Sequence, residues 1–428
     1  MEHSRKLTSL AAALLLAVIP LQADVLEVGA GCRFPSLQAA APCAAPGDTI
    51  MIREGVYPGD QRIVNLQGTA TRQIYILSPP DETVIFRGGQ DGWHMTAVAY
   101  LFISGFTFTE QAHNGLRIDD GETERRLSHH IVLENCIWQN VQPLENNDLL
   151  KLAGVDDVTV RNCRFYNNFS NVGSGLDMVG CHDATIERSY FENMTANAIQ
   201  VKGGSQHILI RQNFFRDCGR RTLNLGGTTG LIYFRPANAN FAVRDVKVYA
   251  NIIVGSEAAV AFAGCVDADV ANNTIYQPEI WVIRILQANI GDPRFIPCSD
   301  NTFRNNIVYG TVALRTECNV GSDTNPETFR FANNLWCFPN REGWAGPELP
   351  SAESNGIIQQ DPLFFAPLYD DFSLLAGSPA IGGGAENSGP VTDFWGRLYA
   401  AKPSIGAIEG AYLDRHFWYP YRPDEDIK

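Results

Sequence analysis

A set of charged and polar residues recurs in this chain in one local setting, each held between two apolar neighbours. The triplets are Leu116-Arg117-Ile118, Leu150-Lys151-Leu152, Leu176-Asp177-Met178, Ile199-Gln200-Val201, Leu223-Asn224-Leu225 and Ile232-Tyr233-Phe234. If each triplet is a short strand with its apolar residues in a core, the middle residues all emerge on one side. The outward row is then Arg117, Lys151, Asp177, Gln200, Asn224 and Tyr233, and a second outward row holds Asp119, Lys202 and Arg235. A face that crowds several cations around few acids suits β-elimination from a uronate-containing acidic polysaccharide. Arg, Lys or a calcium ion would neutralise the sugar carboxylate and so acidify its α-proton. A base then removes that proton, and an amine set among other cations is displaced toward that use. A third group protonates the leaving glycosidic oxygen. Lys202 is the candidate base and Tyr233 the candidate acid. Arg235, Arg221 and Lys151 are candidate contacts to carboxylate or sugar, with Arg220 a further candidate on the substrate surface. Arg117, Asp177, Gln200 and Asn224 complete the expected substrate surface, and no metal ligand is assigned.

The same rows have a plainer reading, a salt-bridged ladder in which Lys151 pairs with Asp177 while Lys202 and Arg235 are solvated. Gly173, Gly175, Gly203, Gly204, Gly226 and Gly227 would leave the floor open to an extended chain, or serve turns. The stretches Asp119 to Arg126 and Gly219 to Asn240 are long enough to rise as cleft walls. Two other function classes remain. A glycoside hydrolase would need two carboxylates facing each other, drawn from Asp177, Asp119, Asp120, Glu122 and Asp148. A non-catalytic carbohydrate-binding protein would need neither base nor acid.

The elements that must position these residues are repeated. From about residue 96 a phrase recurs in which a short strand, a turn and a second strand are followed by Asn or Ser and an apolar residue: HHIVLENCIWQN, DDVTVRNCRFYNN, HDATIERSYFEN, QHILIRQNFFRD, RDVKVYANIIVG, DADVANNTIYQ, DNTFRNNIVYG and ETFRFANNLWC. Aligned on Asn135, Asn162, Ser189, Asn213, Asn251, Asn273, Asn306 and Asn334, the units are 22 to 38 residues apart. Apolar residues alternate with period two, Val, Ile, Phe, Tyr and Thr are dense, and no stretch carries a helical stripe. A unit this small cannot bury its own apolar face, so neighbours must stack as coils of a solenoid. Equivalent strands then lie parallel about 4.8 Å apart. Asn past each strand suits a left-handed turn residue with amides stacked along the axis.

On these repeats the chain resembles the secreted bacterial right-handed parallel β-helix proteins of the pectate-lyase-like family, over roughly residues 30 to 410. The resemblance implies an all-β solenoid with an N-terminal cap and an irregular C-terminal closing segment. Pro35 to Tyr57 resembles the family's opening, with a short amphipathic helix around Leu37 to Ala41 covering the first coil. Asp361 to Gly384 and Asp393 to Gly410 resemble its closing segment. The expected division is a signal peptide at 1–23, cap and first coils at 24–95, coils at 96–345 and the closing segment at 346–428. NAIQVKGGSQHILIRQNFF (Asn197 to Phe215) is similar to the lysine-bearing coil of alginate lyase and chondroitinase B type polysaccharide lyases, which implies a base at Lys202. Where that family shows Leu-Arg-His-Gly, this chain has Leu223-Asn224-Leu225-Gly226, and Thr195, Ala196 and Asn197 stand where acidic calcium ligands are frequent.

Composition bounds the rest. The chain has 428 residues, 45% hydrophobic, which excludes a largely disordered protein. A net charge of -14 without any Lys/Arg run excludes a general nucleic-acid binder. Leu7 to Ala23, preceded by Arg5 and Lys6, has the layout of a secretory signal peptide, so a secreted or periplasmic monomer without a membrane span is expected. Ten cysteines include no CxxC, which speaks against zinc and thioredoxin chemistry. Cys32 and Cys43 could pair, and Cys136, Cys163 and Cys181 could equally be buried thiols. His129, His130, His182 and His207 sit at equivalent strand starts and read as polar turn residues rather than a metal site. The aromatic tail from Phe417 to Tyr421 is expected to pack on the solenoid.

Overall fold

The structure, a computed structural model, describes residues 23–121, 127–141, 147–386 and 389–411. Most of the signal-peptide segment, Glu122 with most of its insertion, and the aromatic tail lie outside the described residues. The chain winds through three parallel sheets in turn. Strands such as Val155–Arg161, Arg164–Asn168 and Ser174–Val179 each pair with the equivalent strand one coil earlier and one coil later. The first sheet begins at Val25–Val28, the second at Gly55–Pro58 and the third at Gln61–Val64. The parallel β-helix expected from the repeats is therefore the observed fold.

The interior explains why these sequences coil. On the inner side of the second sheet, Phe86, Phe108, Trp138, Phe165, Phe191 and Phe215 form one continuous aromatic stack, with successive centroids 4.4 to 5.8 Å apart. Burying such rings supplies much of the apolar area on which a solenoid depends. The first open coil is covered by the helix Leu37–Ala40, whose Ser36 caps its N-terminus and whose Leu37 and Ala40 are buried.

The expected amide stack is present at the corner between the first and second sheets. Asn213 Nδ2 donates to Asn251 Oδ1 at 3.0 Å, Asn251 to Asn273 at 3.0 Å, Asn273 to Asn306 at 3.0 Å and Asn306 to Asn334 at 3.1 Å. Its register corrects the alignment of the first two units. The left-handed turn positions are Asn135, Asn162, Arg188 and Gln212, and the stacking position is the next residue, Cys136, Cys163, Ser189 and then Asn213. Asn135 and Asn162 were thus matched one residue early. All ten cysteines are free, Cys32 and Cys43 included, and Cys136, Cys163 and Cys181 are buried thiols.

The closing segment does more than end the coil. Phe364, Phe372, Leu374, Ile405, Ala407 and Ile408 pack on Tyr190, Phe214, Ile252, Tyr276, Ile307 and Leu335, outside the second sheet. Gln212 Nε2 donates to Asp393 O and Asn272 Nδ2 to Ser404 O, 2.9 Å for the latter, so the segment runs back along the side of the solenoid.

Candidate functional site on the third sheet

The third sheet places the outward row side by side. Cα partners run His94, Arg117, Lys151, Asp177, Gln200, Asn224, Ala261 and Arg284 on successive coils. The neighbouring row runs Thr96, Asp119, Ala153, Val179 and Lys202. Five of the six expected middle residues therefore share one row, and Asp119 and Lys202 share the next. Tyr233 is the exception. Leu231–Tyr233 is a 3-10 turn in the loop after the strand Arg221–Gly226, because Gly227 to Gly230 carry the chain out of the sheet before any new strand forms. Arg235 belongs to the same loop.

The rows face outward, yet their centre is not an exposed patch, contrary to the expectation. Asp177 is fully buried, and the Lys202 side chain is only 6% exposed. Lys151 Nζ bonds Asp148 Oδ2 and Asp177 Oδ2, each at 2.8 Å, and Lys202 Nζ lies 3.2 Å from Asp177 Oδ1. Two lysines thus grip one buried carboxylate, so Lys202 is not solvated. Burial alone would raise the Asp177 carboxyl, but Lys151 and Lys202 outweigh it and hold it below its ordinary value. The reverse holds for Asp148, where burial prevails over Lys151, and Asp177 adds to it, pushing the carboxyl up to about 6. Ser174 N donates to Asp148 Oδ1 at 2.7 Å and keeps it in place.

A second cluster lies two coils away. Asp119 Oδ2 is 2.7 Å from both His94 Nε2 and Arg117 Nε, and Thr96 Oγ1 donates to Asp119 Oδ1 at 3.0 Å. Burial opposes ionisation of Asp119, but the bond to His94 and the charge of Arg117 bring its pKa down to about 2. His94 and Thr96 did not figure among the sequence candidates. Trp93-His94-Met95 has the same apolar-polar-apolar pattern as the six triplets and could have been found by it.

The loop over the sheet forms a wall. Phe234, Ala239, Phe241, Val266 and Phe295 make a small apolar core between residues 227–242 and 287–297, closed by Ile296 N to Asn240 O at 2.9 Å. The wall expected over Gly219 to Asn240 thus begins only at Gly227, since the strand Arg221–Gly226 takes up the first part. Gly203 and Gly204 have positive φ, and a Cβ on Gly204 would lie 2.4 Å from Arg235 O, so only glycine lets the loop come this close. Arg235 is committed there. Its guanidinium bonds Asp156 Oδ2 at 2.9 Å and Gly180 O at 2.7 Å, which makes it a clasp holding the loop rather than a solvated cation. Between wall and sheet lies a pocket of about 220 Å³ lined by Arg117, Asp119, Asp120, Tyr233 and Arg235, with Ala153 and Val179 in its floor. Tyr233 is 49% exposed.

Gln200 and Asn224 are buried beneath Gly226 and Gly227, and Asn224 Oδ1 has no hydrogen-bond partner among the described residues. Arg221 is half-buried at the start of its strand and Arg220 is exposed, both away from the pocket. Among the described residues no three His, Cys, Asp or Glu side chains converge as a metal site. The two central carboxylates already face Lys151, so the donors present do not fit calcium. The expected histidine row is only partly formed: His129 and His182 share an edge row with Asp156 and Gln206, and His207 falls one position beyond it.

Residues 148–334, somewhat under half of the chain, match the family model described as a right handed beta helix region. Among solved structures, pectate lyase Pel9A is similar over 90% of this chain and 96% of its own, at 15% identity and a TM-score of 0.60. A GH136 lacto-N-biosidase from Eubacterium ramulus is similar over 78% of this chain and 68% of its own, at 12% identity and a TM-score of 0.56. A rhamnogalacturonan lyase is similar over 76% and 90%, at 12% identity and a TM-score of 0.51. At such identities the likeness is one of fold. No curated protein matches the sequence. No helix among the described residues is long and apolar enough to cross a membrane.

Proposed function

We propose that this chain, a right-handed parallel β-helix of the pectate-lyase-like fold, is an exported enzyme that cleaves a uronate-containing polysaccharide by β-elimination. The fold is shared with a pectate lyase and a rhamnogalacturonan lyase, but also with a lacto-N-biosidase, so fold does not choose the reaction. The observation that supports elimination is the pocket between wall and sheet. Its floor of Ala153 and Val179 is flanked in the same row by Asp119, which orients Arg117, and by Lys202, which Asp177 orients.

In this reading Arg117 meets the sugar carboxylate and spreads its charge as the α-proton leaves. Lys202 Nζ, in its free-amine form, takes up that proton to become the ammonium, and Asp177 holds the nitrogen in place. The Tyr233 phenol, at the pocket rim, donates to the departing glycosidic oxygen, so the C–O bond breaks as the C=C bond forms. Arg235 keeps the loop that carries Tyr233 closed against the sheet, through Asp156 and Gly180.

A second reading has one specific observation in its favour. Asp148 and Asp177 both touch Lys151 Nζ, and their carboxyls are displaced in opposite directions, the separation of roles that a glycoside hydrolase uses. Against it, both carboxylates converge on the same Lys151 Nζ instead of facing each other across a cleft.

One assay separates the classes. The purified protein is incubated with a panel of uronate polymers while ultraviolet absorbance of the unsaturated product and release of reducing ends are followed together. Elimination raises both, hydrolysis raises reducing ends alone, and a binding protein raises neither. Lys202→Ala should lower kcat by about 10²–10⁴-fold, the usual contribution of a general base. Full activity in that variant would remove Lys202 from the mechanism.

A further inference from the structure

Beyond the pocket, the third sheet carries a cationic cluster that the proposed chemistry does not use. On the coil Ala258–Ala263 the row position beside Asn224 is Ala261, and the strand-entry position beside Arg221 is Ala258. The next coil places Trp281 beside Ala258 and Arg284 beside Ala261. One coil of small side chains therefore separates Arg221 from Arg284 and Trp281. The Arg284 guanidinium lies 4.1 Å from the Trp281 ring centroid, and Arg315 lies 5.8 Å from it on the other coil. Arg284 Nε also donates to Asn319 Oδ1 at 3.1 Å, so the side chain is held from two directions.

These arginines lack the carboxylate partner that several arginines of the solenoid have. Elsewhere on the solenoid Arg117, Arg161, Arg211, Arg235 and Arg304 each have a carboxylate within 3.0 Å. Among the described residues, Arg220, Arg221, Arg284 and Arg315 have no ion-pair partner within 4.0 Å. Glu257 is the single carboxylate whose charge bears on Arg221 and Arg284. Burial, then the charges of Arg284 and Arg220, displace Arg221 below the ordinary arginine value. Among the described residues, Arg221 Nε is buried without an acceptor. A crowded set of cations with an unused buried donor is an arrangement that an oxyanion completes.

We infer that Arg221 and Arg284, across the alanine coil, form a second anion subsite that grips an acidic group of the polysaccharide remote from the cleaved bond. This rests on the reading of the third sheet as a polysaccharide face. Arg284 lies four coils from Asp177, about 19 Å at about 4.8 Å per coil. The substrate accordingly carries acidic groups on several sugar units, and longer oligomers bind more tightly than short ones. The group bound is a planar or tetrahedral oxyanion, a carboxylate or a sulfate ester, and both offer oxygens to a guanidinium fork.

The test is a tryptophan-fluorescence titration of the full chain with a trimeric and a hexameric oligouronide, and with a sulfated, uronate-free hexamer. Product absorbance is recorded in the same cuvette. The expected result is a hexamer-to-trimer affinity ratio that falls about tenfold in Arg284→Gln and falls less in Arg284→Lys. Arg315→Gln, at an exposed position, should lower it in the same direction and guards against misfolding of the first variant. Preference for the sulfated hexamer would name sulfate as the group, and preference for the oligouronide would name carboxylate. A ratio unchanged in all three variants, or equal binding of trimer and hexamer by the unaltered protein, overturns the subsite. Absent product absorbance with an Arg284-dependent ratio sinks elimination and leaves the subsite standing. Product formation with an Arg284-independent ratio does the opposite.

Discussion

The asparagine stack and the charged row of the third sheet are built by the same device, equivalent residues meeting along a parallel solenoid, and they use it differently. From Asn213 to Asn334 the stack repeats one residue type on five coils, and each amide accepts from one neighbour and donates to the next. The charged row changes type on nearly every coil, from His94 through Arg117, Lys151, Asp177, Gln200 and Asn224 to Ala261 and Arg284. It leaves Asn224 Oδ1 buried and unpaired among the described residues, as is Arg221 Nε at the entry of the same strand. A row that repeats and satisfies its own hydrogen bonds is a structural spine. A row that breaks its own pattern and keeps unused groups is where a ligand has something to complete.

The sharpest way to break this comparison is Asp177→Ala, which leaves Lys151 and Lys202 facing each other without their shared carboxylate. Stability should fall by about 3–5 kcal/mol, the cost of an uncompensated buried charge, together with loss of activity. Urea unfolding and the product assay read the two effects. A smaller effect is expected of Asn251→Ala, which strands Asn213 N and Nδ2 together with the Ile210 carbonyl. It should cost about 2–4 kcal/mol while turnover per folded molecule is unchanged. Equal losses of activity in both variants would erase the distinction drawn between the two rows.

The smallest effect is in pH dependence. The Asp148 carboxyl is raised from 3.8 to about 6, so as pH climbs through that window the unfolded chain ionises first and the native state loses stability. Asp148→Asn should flatten urea-unfolding midpoints across the same range. Asp177 has the opposite sign. Its contribution is present above the ordinary carboxylate value and is lost as pH falls below it, through its lowered native value. A flat profile in the unaltered protein would mean that Asp148 is not driven by burial.

The repeats and their alternating apolar residues were enough to specify a parallel solenoid, because a unit that cannot bury itself has to stack. They also placed Arg117, Lys151, Asp177, Gln200 and Asn224 in one row, since period two decides the face. What sequence could not decide was the fate of the chain once it left the sheet. Ile232-Tyr233-Phe234 has the pattern of a strand, but the five residues before it include two glycines, Gly227 and Gly230, and let it rise into a wall packed on Phe295. The ladder pair Lys151–Asp177 was legible too, but burial of the central row, and the clasp of Arg235 on Asp156 and the pairing of Lys202 with Asp177, which join residues 25 to 79 positions apart, were not. Such contacts follow from how loops fold back over the coils, and local pattern carries no record of that. The sequence therefore determined which residues share a face, and only the tertiary structure decided which of them water, or a polysaccharide, can reach.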